Sequence, residues 1–194
     1  MDRSFFIELK DTLTHIAESG ELIRSWDESR NPKSKTSWIN YYEFQTSDEG
    51  KYTLELDQRS FPSRGSFLMW TDIEKEKDNI ETQLQGKEPY TLCSLSFYRE
   101  VDGVVFEGIG NFSKTIVFEV FATIRQILKE YFALHGFPLG ILFQGNPSEP
   151  SRLRLYRELA KGLTNQGYTF FEYSTDNIFG KKDTFLLIKG IEDK

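Results

Sequence analysis

The stretch TIVFEVFATIRQILKEYFALHGFPLGILF, residues 115–143, decides how this chain folds. Within it Val117, Val120, Phe121, Ile124, Leu128 and Phe132 recur at the three- and four-residue spacing of one helix face. Gly136 stands where that helix should stop, because glycine adopts the left-handed terminal conformation without a steric cost. Leu139 to Phe143 is short and wholly apolar, the pattern of a strand covered on both faces. The spacing therefore predicts a long helix over 115–135 followed by a central strand.

Upstream, Tyr90 to Tyr98 reads as a strand, Asp102-Gly103 as a two-residue turn, and Val104-Val105-Phe106 as the start of a return strand. Residues 108–113, GIGNFS, are expected to form a loop. Downstream, residues 145–150, GNPSEP, read as another loop. Ser151 is expected to cap a helix running to about Asn165, with Leu155, Tyr156, Leu159 and Leu163 along it and Gly167 as its stop. Tyr168 to Tyr173 and Thr184 to Ile188 complete the pattern as two strands, joined by a loop containing Gly180-Lys181-Lys182.

The first half is less regular. Residues 2–19 place Phe5, Phe6, Leu9, Leu13, Ile16 and Ala17 at helical spacing, with Asp2 or Ser4 as a cap and Gly20 as a stop. The polar run 27–37, which carries Pro32, is expected to be a loop. Trp38 to Phe44 and Tyr52 to Leu56 alternate on either side of Ser47-Asp48-Glu49-Gly50 and predict a β-hairpin. Ser66 to Trp70 reads as a third strand. Residues 73–88, with charges alternating in sign, read as a loop or a short solvated helix.

The composition bounds the function. A chain of 194 residues can bury a core without disulfides and fits one domain. Within that domain, residues 1–89 form a helix-and-hairpin elaboration and residues 90–194 the core. Aromatic residues make up 15 % of the chain, which argues against disorder. A formal charge of −6 is not the balance of a protein that neutralises nucleic-acid phosphates. Cys93 is the only cysteine, lies in the run Leu92-Cys93-Ser94-Leu95, and reads as a small buried hydrophobe rather than a nucleophile. His15 and His135 are the only histidines, too few for a histidine-based metal site. No apolar run is long enough to span a membrane. The start, MDRSFFIELKDTL, lacks a basic region and a continuous apolar core. Together these predict a cytoplasmic protein with no membrane association.

The element order from 90 to 189 resembles the GNAT family of N-acetyltransferases. Local features carry the resemblance: Asn146 just after the central strand, Leu155-Tyr156 on the second helix, and Gly167-Tyr168 after it. It implies an α+β fold with a mixed, mostly antiparallel sheet flanked by helices. It also implies acetyl-CoA as cofactor, its pyrophosphate held by backbone N–H groups at the start of the first helix. Carried onto this chain, that site falls on Gly108, Gly110, Asn111, Ser113 and Lys114, with Asn146 nearby. The family's signature puts Gln or Arg three residues before the first glycine, whereas Val105 stands there. Tyr156 falls where the family often keeps a tyrosine that protonates the departing thiolate. Read from its own spacing, it is equally an amphipathic tyrosine with its ring in the core. Asn146 suits a turn cap as well as a ligand contact.

Two further clusters have alternative readings. Ser151 and Arg152, at the start of the second helix, could receive an anion. Arg152, Arg154, Arg157 and Lys161 could instead pair with Glu149 and Glu158. GIGNFSKT, residues 108–115, falls one residue short of a phosphate-binding loop, with Ser113 in place of the second glycine. The run from Ser151 to Ala160 also resembles a segment of uncharacterised bacteriophage proteins, which implies a phage or mobile-element origin. Two functions follow as expectations: an accessory protein on a degenerate acetyltransferase-like fold, acting through protein contact, or an acyl-CoA-dependent N-acyltransferase.

Overall fold

The structure is a computed structural model that describes residues 27–34, 37–47, 49–71, 77–84, 86, 88–101, 104–107, 114–148, 150–177 and 180–190. The expected helix over 2–19 and the loop 108–113 lie outside the described residues.

The strands are β1 (Asp27–Ser34), β2 (Ser37–Gln45), β3 (Lys51–Phe61), β4 (Tyr90–Val101), β5 (Val104–Glu107), β6 (Gly140–Gly145), β7 (Tyr168–Asn177) and β8 (Gly180–Lys189). They form one eight-stranded sheet in the order β1-β2-β3-β4-β6-β8-β7, with β5 paired to β4. β4 with β5, β6 with β8, and β7 with β8 run antiparallel, whereas β4 and β6 run parallel. The helices are α1 (Arg64–Thr71), α2 (Lys77–Leu84), α3 (Lys114–His135) and α4 (Pro150–Thr164). The class is α+β with a mixed sheet, as the sequence implies. Among the described residues no helix is long and apolar enough to cross a membrane.

Five local expectations are corrected. Asp27–Ser34 is a strand, not a loop. It lies at the end of the strand order, where Pro32 removes no hydrogen bond that a second neighbour needs. Ser66–Trp70 belongs to helix α1, not to a strand. Ser63 and Ser66 decide this by a reciprocal cap: the Ser66 N–H donates to Ser63 Oγ at 3.2 Å, and the Ser63 N–H to Ser66 Oγ at 3.3 Å. Within the charged run, helix α2 fully buries Ile80 and Leu84, one turn apart on the same face. Helix α4 begins at Pro150, which suits a first helical position, so Ser151 lies inside the first turn rather than capping it. Gly180, Lys181 and Lys182 are strand residues of β8, opposite Asn177, Asp176 and Thr175.

The remaining elements follow the sequence. Val101 pairs with Val104 across the two-residue connection 102–103. Gly136 and Gly167 take φ values of 80° and 82° after helices α3 and α4, and the Gly136 N–H donates to the Phe132 carbonyl at 2.9 Å.

The described residues form two compact, interleaved units, one of 27–29, 41–54 and 97–136, the other of 30–40, 55–96 and 137–190. In the first, Tyr52 stacks between Phe44 and Phe97, with ring centroids 5.6 and 5.5 Å away. Helix α3 buries Val120, Phe121, Ile124, Ile127 and Leu128. Its Glu119 reaches the turn after β2, where Oε2 accepts the Ser47 N–H at 2.7 Å.

In the second unit, β6 is covered on both faces. On one, Leu142, Leu186 and Ile188 pack with Phe67, Ile80 and Leu84 of the short helices. On the other, Phe143 packs against Tyr156 of α4, and Tyr156 against Phe185, with centroids 5.6 and 6.2 Å apart. Two glycines let these helices close on the strand. A methyl on Gly140 would stand 2.7 Å from Phe67 Cζ, and one on Gly145 would stand 2.6 Å from Leu153 Cδ2.

Candidate ligand-binding cavity

Strand periodicity builds the site. In β3, Leu56 and Gln58 are buried on one face, which turns Glu55, Asp57 and Arg59 to the other. In β4, Ser94 and Ser96 alternate with buried Cys93, Leu95 and Phe97. In β6, Leu142 and Gln144 share a face. The parallel ladder between β4 and β6 runs from Leu92↔Gly140 to Leu95↔Phe143. The next residues along, Ser96 and Gln144, line a cavity of about 420 Å³ together with Glu55, Asp57, Ser94 and Leu142. That size lies within the range of about 300–1,000 Å³ that accommodates small ligands.

Helix α1 supplies the rim. Its Phe67 and Leu68 are buried, whereas Met69 and Trp70, both lining the cavity, are 81 % and 40 % exposed. Two interactions fix the helix end. The Tyr173 hydroxyl donates to the Thr71 carbonyl at 2.7 Å, and Thr71 Oγ1 donates to the Leu68 carbonyl at 2.9 Å.

The walls carry polar groups of defined chemistry. Arg59 binds Asp57 through both Nε and Nη2, with Nε 3.1 Å from each carboxylate oxygen. The same guanidinium lies over the Trp70 ring, 4.2 Å from its centroid. Gln144 Nε2 donates to Thr184 Oγ1 at 3.4 Å, which orients the amide. The charged residues of the lining are Glu55 and Asp57, both acidic. Such a wall favours a cation or a hydrogen-bond donor. Among the described residues no group of three His, Cys, Asp or Glu side chains is placed to hold a metal ion.

The residues expected from the sequence lie elsewhere. Gly108, Gly110, Asn111 and Ser113 are outside the described residues. Lys114 is the first residue of α3, and Ser151 and Arg152 are the second and third of α4. Asn146 is exposed and closes a turn, its Oδ1 accepting the Ser148 N–H at 3.0 Å and the Ser148 hydroxyl at 2.9 Å. Tyr156 is buried, and its ring meets Phe143, whose side chain lies on the face of β6 opposite Leu142 and Gln144. The structure therefore does not bring Tyr156 to the cavity. Arg157 pairs with Glu172, and Lys161 with Glu158 at 2.8 Å. Cys93 is fully buried, and burial, reinforced by the negative charge of Asp57, pushes its thiol pKa up, so it stays a neutral thiol.

The sequence reading missed Asp57, Arg59, Trp70, Ser94, Ser96 and Gln144 as site residues. For Asp57 with Arg59 and for Ser94 with Ser96 the signal was present as i, i+2 pairs of polar residues on a strand, but only the strand order shows that those pairs meet, whereas Trp70 and Gln144 carried no such signal. Comparisons of the chain with protein-family models, with curated proteins and with solved structures find no match.

Proposed function

We propose that this chain is a binding protein on an acetyltransferase-like sheet, and that it acts by taking an ammonium-bearing side chain of a protein partner into the cavity. The observation that carries the reading is the acidic cavity itself, with Glu55 and Asp57 in its wall and the exposed Met69 and Trp70 at its mouth. A lysine side chain matches both features: its methylenes lie against the apolar rim while its ammonium reaches the carboxylates. Exposed methionine and tryptophan suit contact with a protein surface.

A second reading, an acyl-CoA-dependent N-acyltransferase acting on the same amine, has one observation in its favour. The cavity lies at the carboxyl end of β6, where its parallel ladder with β4 stops, a common place for ligands in sheets with a parallel pair.

The test is a chemical-shift titration with Nα-acetyl-lysine methylamide and with its Nε-acetylated counterpart. The charged form should shift residues of β3, α1 and β4, and the acetylated form should not. Equal responses, or none, would refute the cation reading. Thermal unfolding with saturating acetyl-CoA separates the two functions. A ligand at about 100-fold its Kd adds about 2.7 kcal/mol to the native state. An unchanged midpoint is expected of a binding protein, and a raised one of the acyltransferase.

A further inference from the structure

We infer that Asp57 and the Trp70 ring form a cation subsite that Arg59 of the same chain occupies, so that Arg59 is an internal competitor for the incoming ammonium group. This rests on the cavity reading above and adds to it the element that sets affinity. A carboxylate beside an aromatic face is a combination that recognises an organic cation, through charge and through the ring quadrupole. Here both members line the cavity, and both are already engaged by one guanidinium. The Arg59 side chain is 31 % exposed and that of Asp57 is 13 % exposed, so the cation is held at the edge of solvent and can swing away while the carboxylate stays in place. The i, i+2 spacing on β3 fixes both side chains on one face of the strand, and α1 brings Trp70 over them. An incoming ammonium must displace the guanidinium from Asp57, from Trp70, or from both. Its affinity is therefore lowered by whatever holds Arg59 there.

The test replaces Arg59 with Met, which keeps the aliphatic stem against Trp70 and removes the charge. Binding of Nα-acetyl-lysine methylamide is measured by chemical-shift titration for the parent, Arg59→Met, Arg59→Lys and Arg59→Met with Asp57→Asn. The partly buried ion pair and the ring contact that must be broken lead to an expectation of about tenfold tighter binding for Arg59→Met than for the parent. Arg59→Lys, which competes through a single-point charge without the planar fork, should fall between them. The double variant should lose the gain. Equal or weaker binding by Arg59→Met overturns the competitor assignment while leaving the cavity reading intact. Absence of binding by every variant overturns both.

Discussion

Replacing Gly140 with alanine tests how closely α1 sits on the sheet. The new methyl would lie 2.7 Å from Phe67 Cζ, 2.9 Å from Leu92 Cδ1 and 3.2 Å from Phe67 Cε2. Neither neighbour can step aside cheaply. Phe67 is fully buried between Phe61 and Tyr90, with ring centroids 5.8 and 6.5 Å away, and Leu92 is 1 % exposed. Overpacking of this kind costs about 1–3 kcal/mol. For a chain of 194 residues that corresponds to a melting point lowered by about 2–12 °C. The assay is thermal unfolding of Gly140→Ala, of Phe67→Leu and of the double variant. Phe67→Leu alone should cost less than the roughly 3–5 kcal/mol of truncating a buried phenylalanine to alanine. It also vacates the space the methyl needs, so the double variant should be more stable than the sum of the single effects by at least about 0.5 kcal/mol. Parental stability of Gly140→Ala, or strict additivity in the double variant, would refute the close approach of α1 to β6.

Four more outcomes are expected. Tyr173→Phe removes the donor to the buried Thr71 carbonyl and should cost about 1–3 kcal/mol in urea unfolding, whereas an unchanged midpoint would mean that the carbonyl is satisfied elsewhere. Glu119→Ala removes the acceptor of the partly buried Ser47 N–H contact and should cost about 1 kcal/mol in urea unfolding, while an exposed control such as Lys129→Ala should not. Cys93 should resist a thiol reagent in the native protein and react once urea unfolds it. The Cys93 thiol has a further pH consequence. Its folded-state pKa is raised above the ordinary 9.0, so above about pH 9 the unfolded state carries fewer protons than the native one, and stability falls as pH rises. Cys93→Ala should flatten that fall, and an unaltered slope would sink the explanation.

The elements that could be read from the sequence are those whose signal is local and redundant. Helix α3 has an apolar face over six turns and a glycine stop, and β6 is apolar throughout, so both are where the pattern puts them. Helix α1 was missed because Ser66-Phe67-Leu68-Met69-Trp70 is too short to separate periods of 2 and 3.6. The cap formed by Ser63 and Ser66 settles it, together with the burial of Phe67 and Leu68 against β6. Strand β1 was missed because Pro32 and a polar run read as a loop until an edge position makes them acceptable. The cavity could not be read at all. Asp57, Ser94 and Gln144 are far apart in the chain, and only a strand order that places β4 between β3 and β6 sets them side by side. Tyr156 was legible as a helix residue in either of two roles, and the choice between them needed the face of β6 that it covers.

The position of β6 in the strand order has a consequence for how this protein is made. Gly140 pairs with Leu92 on one side and with Ile188 on the other. A nascent chain that has just produced Gly-Ile-Leu-Phe therefore has a partner available on one edge only. The second edge stays open until helix α4 and both strands of the last hairpin have been synthesised. During that interval an apolar strand with unpaired N–H and C=O groups is a template for any other chain. Slowing synthesis downstream of residue 145 should therefore lengthen the exposure and lower the soluble yield, without altering a single contact of the finished fold.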